Sequence, residues 1–354
     1  MAALPDGRLV LRGTTVGSPR LVSLVVAMGV ASASLAACSG ASDQGRHGST
    51  TPVVFPVALL SVGATLWTVS SGSDDIREVN TSTGHVIRVV RNACTRADSY
   101  PSGLSRFRSV FWLADTYGGN LFQFDVRTGR CLRVVAGRKM GIRHPSGLQV
   151  IGRYLWVAGL GGTLTELSAA SGSLVRTSHA VGSDGTSGTA LTAVSAGALW
   201  VLRDRSVIEV RPGSGARMRE IVGSSRYFDT PSAIVSANSR LWIANLSSSS
   251  LTEIDARTGT IADTIRGPSY ELSFPCALAE VGGDIWIANG GSMGDFVTII
   301  SASTGRVVHR LSSGFPASAM TIDGRDAWVA NSRNQLLEYN AATFQLIRTT
   351  SPIG

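Results

Sequence analysis

Lysine is nearly absent: Lys139 is the only one among 32 basic residues, so arginine carries the formal charge of +8. The arginines are scattered, most of them at recurring strand positions, which argues against the clustered basic face of a nucleic-acid-binding protein. Histidine is sparse too, and His47, His85, His144, His179 and His309 show no metal-ligand spacing. No nucleophile elbow, phosphate loop or dinucleotide fingerprint stands in a supporting context, and glycine-rich pieces such as "GLGGT" read as turns. No metal or cofactor is implied. The apolar run at residues 21–35 is too short to read as a membrane span. What is abundant is glycine, with 40 residues, and hydrophobic side chains, at 44%. That is the composition of a turn-rich globular chain with ample material for a core.

Arg8, Arg12 and Arg20 precede the short apolar run and form the positive n-region of an export signal. The run ends in Leu35-Ala36-Ala37-Cys38, which resembles the lipobox of bacterial lipoproteins. The resemblance implies cleavage after Ala37 and acylation of Cys38, whose thiol takes a diacylglycerol carrying palmitate-type chains. An ordinary signal peptide with an incidental cysteine is the alternative. Residues 1–37 are then the signal peptide, 38–51 a polar, flexible tether, and 52–354 the folded body. The chain is expected to sit on the extracytoplasmic side of a cell membrane, held there by its lipid. Loss of three arginines and Asp6 with the leader leaves it mildly basic, which favours an anionic membrane surface.

All seven tryptophans occupy one slot of a repeated phrase. Trp67, Trp112, Trp156, Trp200, Trp242, Trp286 and Trp328 are spaced by 45, 44, 44, 42, 44 and 42 residues. A period in the low forties with strand-like text indicates propeller blades. Each unit opens on a proline, as at Pro56, Pro101, Pro145, Pro231, Pro275 and Pro316, with Thr189 in the fourth copy. Proline lacks an amide proton and suits the first position of a strand. The tryptophan strand follows ("LWVA", "LWIA"), then an alternating third strand ("LTELS", "LTEID"), then a turn such as "DARTG" that closes on glycine, and then a fourth strand. The seventh turn, "NAATF", has Phe344 in place of the glycine. Four antiparallel strands repeated seven times predict an all-β, seven-bladed β-propeller with tryptophan wedged between blades. The seventh copy holds all four strands and little chain precedes Pro56, so closure without strand exchange is expected.

The phrase "LWIAN…LTEIDARTGTIADTI" resembles the repeats of YVTN-type and streptogramin-lyase-like propellers over about residues 52–354. The resemblance implies the fold and is weak for function. Lyase repeats carry an acid after the tryptophan phrase; here that slot holds Ser70, Asp115, Gly159, Arg203, Asn245, Asn289 and Asn331. The asparagines read as turn formers, and an extracytoplasmic hydrolase or lyase remains the alternative to a binding protein.

Glutamate recurs six residues before the turn glycine, at Glu78, Glu166, Glu209, Glu253 and Glu338, with Gln123 in the second copy. Arginine recurs four after it, at Arg88, Arg133, Arg176, Arg219 and Arg348. With a three-residue loop these positions oppose each other; with a four-residue loop they fall on opposite faces. Solvated cross-strand pairs are the expectation, in preference to a ring of carboxylates. Export permits a disulfide among Cys94, Cys131 and Cys276. If one exists, Cys94–Cys276 across the mouth is topologically easier than Cys94–Cys131; three inert thiols are the alternative.

The connections between blades are long and non-repeating, including "RNACTRADSY", "AGRKMGIRH", "GSSRYFDT" and "RGPSYELSF". Variable loops on a rigid scaffold are where binding residues concentrate. Tyr100, Arg143, His144, Arg226, Tyr227, Tyr270 and Glu271 are the candidate contacts. The expected function is a monomeric binding or interaction module whose partner is an envelope protein, a glycan or a small ligand.

Overall fold

The computed structural model describes residues 55–71, 75–91, 94, 101–159, 162–182, 190–291 and 294–351. The leader, Cys38, the tether, Tyr100 and Thr189 lie outside them. The described chain forms seven sheets, each of four consecutive antiparallel strands, and the blades occupy residues 55–90, 101–136, 145–178, 191–222, 231–265, 275–312 and 317–350. Every blade is made from its own four strands, so the ring closes without strand exchange. Helical structure among these residues is limited to two 3-10 turns, Gly137–Met140 and Pro268–Tyr270. Among the described residues no helix is long and apolar enough to cross a membrane.

Burial follows strand position. The second strands, such as Ala198–Leu202, are buried at essentially every residue, because a sheet of the neighbouring blade covers each face. Outer strands such as Val86–Val90 alternate between half-buried and exposed. All seven tryptophans are fully buried. Each packs into the next blade: Trp112 lies with Leu155, Val157 and Leu167 of the third blade, and Trp328 with Leu59 and Leu66 of the first. In the second, third and fourth blades the turn glycine seats against the tryptophan of the preceding blade, and a Cβ on Gly172 would come within 2.8 Å of Trp112 Cη2. Glycine is needed there for that approach as well as for its φ of 69°.

The proline dipeptide has a second role. The residue after the proline is skipped in the pairing to the second strand, as between Pro101 and Gly103 or Pro231 and Ala233, which is a β-bulge. A bulge re-aims a side chain. Here it turns the extra residue toward the next blade, where Ser102 Oγ donates to Pro145 O at 3.1 Å, Ser232 Oγ to Pro275 O at 2.6 Å and Ser318 Oγ to Pro56 O at 2.8 Å. Ser146 makes the same bond to Ala190 O at 3.0 Å, and Cys276 Sγ makes it to Ala317 O at 3.1 Å.

A second bulge corrects the expectation for glutamate and arginine. The loop between third and fourth strands has four residues, with Asp125 N bonded to Arg130 O at 3.0 Å. An unpaired residue in the outer strand then restores opposition: Glu78 faces Arg88, Val79 faces Val86, and Ile87 is left over. The bulged residues Ile87, Leu132, Val175, Met218, Val308 and Ile347 point outward and are among the exposed large apolar side chains.

Glu78, Glu166, Glu209 and Glu338 do oppose arginines, while Glu253 faces Asp263 and pairs with Arg240 of the second strand in its own blade; none of the five is solvated. Glu166 is 1% exposed beside Trp156, with Oε2 2.5 Å from Arg176 Nε. Burial holds the carboxyls of Glu78, Glu166 and Glu338 above the ordinary value of 4.5, with Arg88, Arg176 and Arg348 pulling the other way. The guanidinium then crosses to the neighbouring turn: Arg88 donates to Arg127 O at 3.0 Å, Arg176 to Gly213 O at 3.1 Å and Arg219 to Arg257 O at 3.0 Å. Each of these cross-strand Glu–Arg pairs is a latch between blades. In the second blade Gln123 replaces the glutamate and itself donates to Ala169 O and Ala170 O of the third.

The disulfide also differs from expectation. Cys94 pairs with Cys131, with their Cα atoms 6.2 Å apart, while Cys276 is a buried thiol in an inner strand. Strand alternation fixes where strands end and leaves open where a ten-residue connection runs between them. Cys94 packs on the same cluster as Val90, Val126 and Cys131, beside the outer strand of the second blade rather than at the mouth.

Candidate functional site

Because strands alternate in direction, the connections between blades and the turns from second to third strand emerge on one face. The last residue of each second strand sits beneath both. Asn245 accepts from Asp229 N in the connection and donates to Ser250 and Thr252 hydroxyls of its own blade. Asn289 likewise accepts from Ser273 N at 2.9 Å and donates to Phe296 O. Arg203 reaches Val181 O at 2.7 Å. Of the three asparagines expected to form turns, Asn331 does so, accepting from Arg333 N and Gln335 N while also donating to Ser313 O of the connection, and Asp115 similarly accepts from Gly118 N. Asn245 and Asn289 instead tie the connection to the blade, which fixes the loops of this face from below.

The candidate contacts fall into three groups. Arg226 lies over the Tyr227 ring at 5.7 Å, and Tyr227 packs against the core of the fourth and fifth blades while its carbonyl accepts from Thr252. Tyr270 occupies the matching position one blade later, packed on the core and accepting from Thr298. Glu271 pairs with Arg310 at 3.0 Å. These residues shape their own connections and do not converge on one space.

Arg143 and His144 do share a space. With Tyr117, Gly119, Arg138 and Gly141 they line an open cavity of about 450 Å³ between the second and third blades. That volume lies within the range of small-ligand sites. Its walls are braced. Gly137 N donates to Gly119 O at 3.0 Å and Ile142 N to Gly137 O at 2.9 Å, with the Ile142 side chain buried beneath. From the third blade, Thr163 Oγ1 donates to Gly141 O at 3.0 Å. Approaches are close enough to require glycine, since a Cβ on Gly159 would lie 2.3 Å from Arg143 O. His144 has a φ of 46°, and its Nδ1 is 3.0 Å from Thr116 O. A carbonyl can only accept, so that nitrogen carries the proton and Nε2 is left for a ligand. Tyr117 stands edge-on to the imidazole at 6.5 Å.

Among the described residues no carboxylate lines the cavity and no acid pairs with Arg138 or Arg143. The site is therefore electropositive with an aromatic wall. Among the described residues no group of three His, Cys, Asp or Glu side chains is placed to hold a metal ion. Sequence reading missed Tyr117 and Arg138. The signal was present in "TYGGN", an aromatic in a turn where the other copies carry small and polar residues.

No family model and no curated protein matches the chain. Solved structures do. Hydrazine synthase of Kuenenia stuttgartiensis aligns with a TM-score of 0.65 at 15% identity, over 87% of this chain and 98% of that one. The computationally designed Ika8 protein gives 0.61 at 14%, over 85% and 88%. BamB from Moraxella catarrhalis gives 0.54 at 14%, over 76% and 80%. At such identities the likeness establishes the propeller fold and nothing finer.

Proposed function

We propose that this chain is a lipid-anchored, extracytoplasmic binding module of the YVTN and streptogramin-lyase-like repeat type, which takes a protein, glycan or small ligand on the interblade-loop face. The observation that carries the reading is the braced cavity between loops 116–119 and 137–144, built from residues outside the repeat. The repeating residues are already committed to the scaffold: tryptophan as wedge, glutamate and arginine as latch, serine after proline as inner clamp. Support for the anchor comes from Leu35-Ala36-Ala37-Cys38 and the polar segment behind it.

Crosslinking on intact cells tests the face. The wild type is compared with a chain carrying Arg143→Ala and Arg226→Ala, two exposed changes that remove no ion pair. Loss of the captured species supports the reading, and unchanged capture rejects this face. For the anchor, Cys38→Ser is expected to release the chain from the membrane fraction and block processing; equal membrane retention with normal processing rejects it.

A further inference from the structure

We propose that the cavity of Arg138, Arg143, His144 and Tyr117 binds a phosphate monoester carried on a ring or sugar. The proposal deepens the reading that this face binds a ligand, and rests on it. Three observations point to the chemistry.

Charge is the first. Most latch arginines are paired: Arg88, Arg176, Arg219 and Arg348 each face a glutamate. Arg138 and Arg143 line the same cavity, and no acid among the described residues pairs with either. Two uncompensated guanidinium groups match a doubly charged anion better than a single carboxylate, and the planar guanidinium fork suits phosphate oxygens. Asp115, the acid nearest in sequence to Tyr117, is buried and turned under Gly118.

The second is hydrogen-bond geometry. With His144 Nδ1 donating to Thr116 O, the ring is held in place and Nε2 is left as an acceptor for a hydroxyl of the ligand, on its sugar or on a singly protonated phosphate. The third is shape. A volume of about 450 Å³ is far more than a bare phosphate fills, and the half-exposed Tyr117 ring offers a flat wall. A ligand with a ring beside its phosphate would use both, since aromatic faces pair with ring and sugar surfaces.

The loop that carries both arginines is set before any ligand arrives, through the bonds of Gly137, Gly141 and Ile142 and the glycine approaches described above. A site formed in advance loses less entropy on binding.

The test uses the full chain in mild detergent, titrated by calorimetry at fixed ionic strength with phenyl phosphate, inorganic phosphate and benzyl alcohol. Phenyl phosphate is expected to bind one per chain, inorganic phosphate more weakly, and benzyl alcohol not at all. Arg138→Gln and Arg143→Gln should each weaken phenyl phosphate at least tenfold, roughly one charge-assisted pair. Their ligand-free melting temperatures should not change, because neither guanidinium bonds to another described residue. Tyr117→Ala should bring phenyl phosphate down to the level of inorganic phosphate.

Vesicles distinguish the source of the phosphate. Competition by phosphatidic acid, with phosphatidylcholine inert, assigns it to a lipid headgroup; its absence assigns it to a soluble ester. No saturable binding of phenyl phosphate, or binding that both glutamine variants leave intact, overturns the proposal. If the crosslinked partner is still lost in the Arg143 and Arg226 variant, the binding face stands and only the phosphate assignment falls.

Discussion

Arg348 of the last blade reaches the carbonyl of Ser82 in the first, while its Nε lies 2.5 Å from Glu338 Oε2 in its own blade. The contact spans 266 residues of sequence and closes the ring. Thr350 Oγ1 adds a bond to Gly84 O at 2.6 Å, and Ser318 Oγ one to Pro56 O. The seventh interface thus uses the parts that hold most of the others.

Removing one member of that latch should cost more than changing the other. Arg348→Ala loses the bond to Ser82 and strands a buried carboxylate, so a loss of about 2–3 kcal/mol is expected. Glu338→Gln should cost under about 1 kcal/mol, because Gln123 already fills the same position in the second blade, where it bonds to the neighbouring turn. Urea unfolding followed by tryptophan fluorescence checks both. Equal losses would mean that the guanidinium is not the latch.

The latch glutamates make a prediction about acid. Burial raises the carboxyls of Glu78, Glu166 and Glu338 above 4.5, so the folded state binds their protons more readily than the unfolded state does. Their contribution is fully present below the ordinary glutamate value and is lost as pH rises through the raised one. Asp125 and Asp255 are lowered, chiefly by the Thr128 hydroxyl and the Thr258 amide, and act oppositely, losing stability only as pH falls below 3.8. Acidification from neutral toward 4.5 should therefore raise the melting temperature of the wild type relative to a Glu78→Gln, Glu166→Gln, Glu338→Gln chain. A difference that is flat or reversed across that window would contradict the buried assignment.

The blade count, the strand order, the wedge tryptophans and closure without exchange were all legible, because they depend on period and alternation that any copy of the repeat reports. Burial of the glutamates was not. A Glu–Arg pair reads the same on paper whether water or the next blade covers it, and the outer-strand bulge that restores their opposition leaves no residue signature. Of the site, Arg143 and His144 were legible as loop residues. Tyr117 was not, since its partner loop comes from the other side of the blade junction. Convergence across two loops is set by the fold, not by spacing along the chain.

The cysteines should behave very differently. Cys94→Ser or Cys131→Ser opens a bridge of 37 residues' separation and should cost about 2–4 kcal/mol. Cys276→Ser should be nearly neutral, because serine makes the same inner clamp at Ser102, Ser146, Ser232 and Ser318. Thermal melts of the three single variants, with a non-reducing peptide map of the wild type, check this. A Cys276-containing bridge in the map would reverse the assignment.

Phe344 tests why one turn dispenses with glycine. It sits at φ 58°, where an L side chain is disfavoured, yet its ring stacks on His309 at 4.8 Å and lies 6.1 Å from Trp286. In this interface Ile299 and His309 stand where the first, third, fourth and seventh blades carry glutamate and arginine. No guanidinium is available to hold the neighbouring turn, so an aromatic stack takes its place. Phe344→Gly relieves about 1 kcal/mol of backbone strain and loses the ring contacts as well as their buried area. The second effect is larger, and a net loss of about 1–2 kcal/mol is expected. His309→Ala in the Phe344→Gly background should then cost little more, since its stacking partner is gone. A glycine variant that is more stable than the wild type, or additive losses in the double variant, would show that the stack does not hold the sixth blade to the seventh.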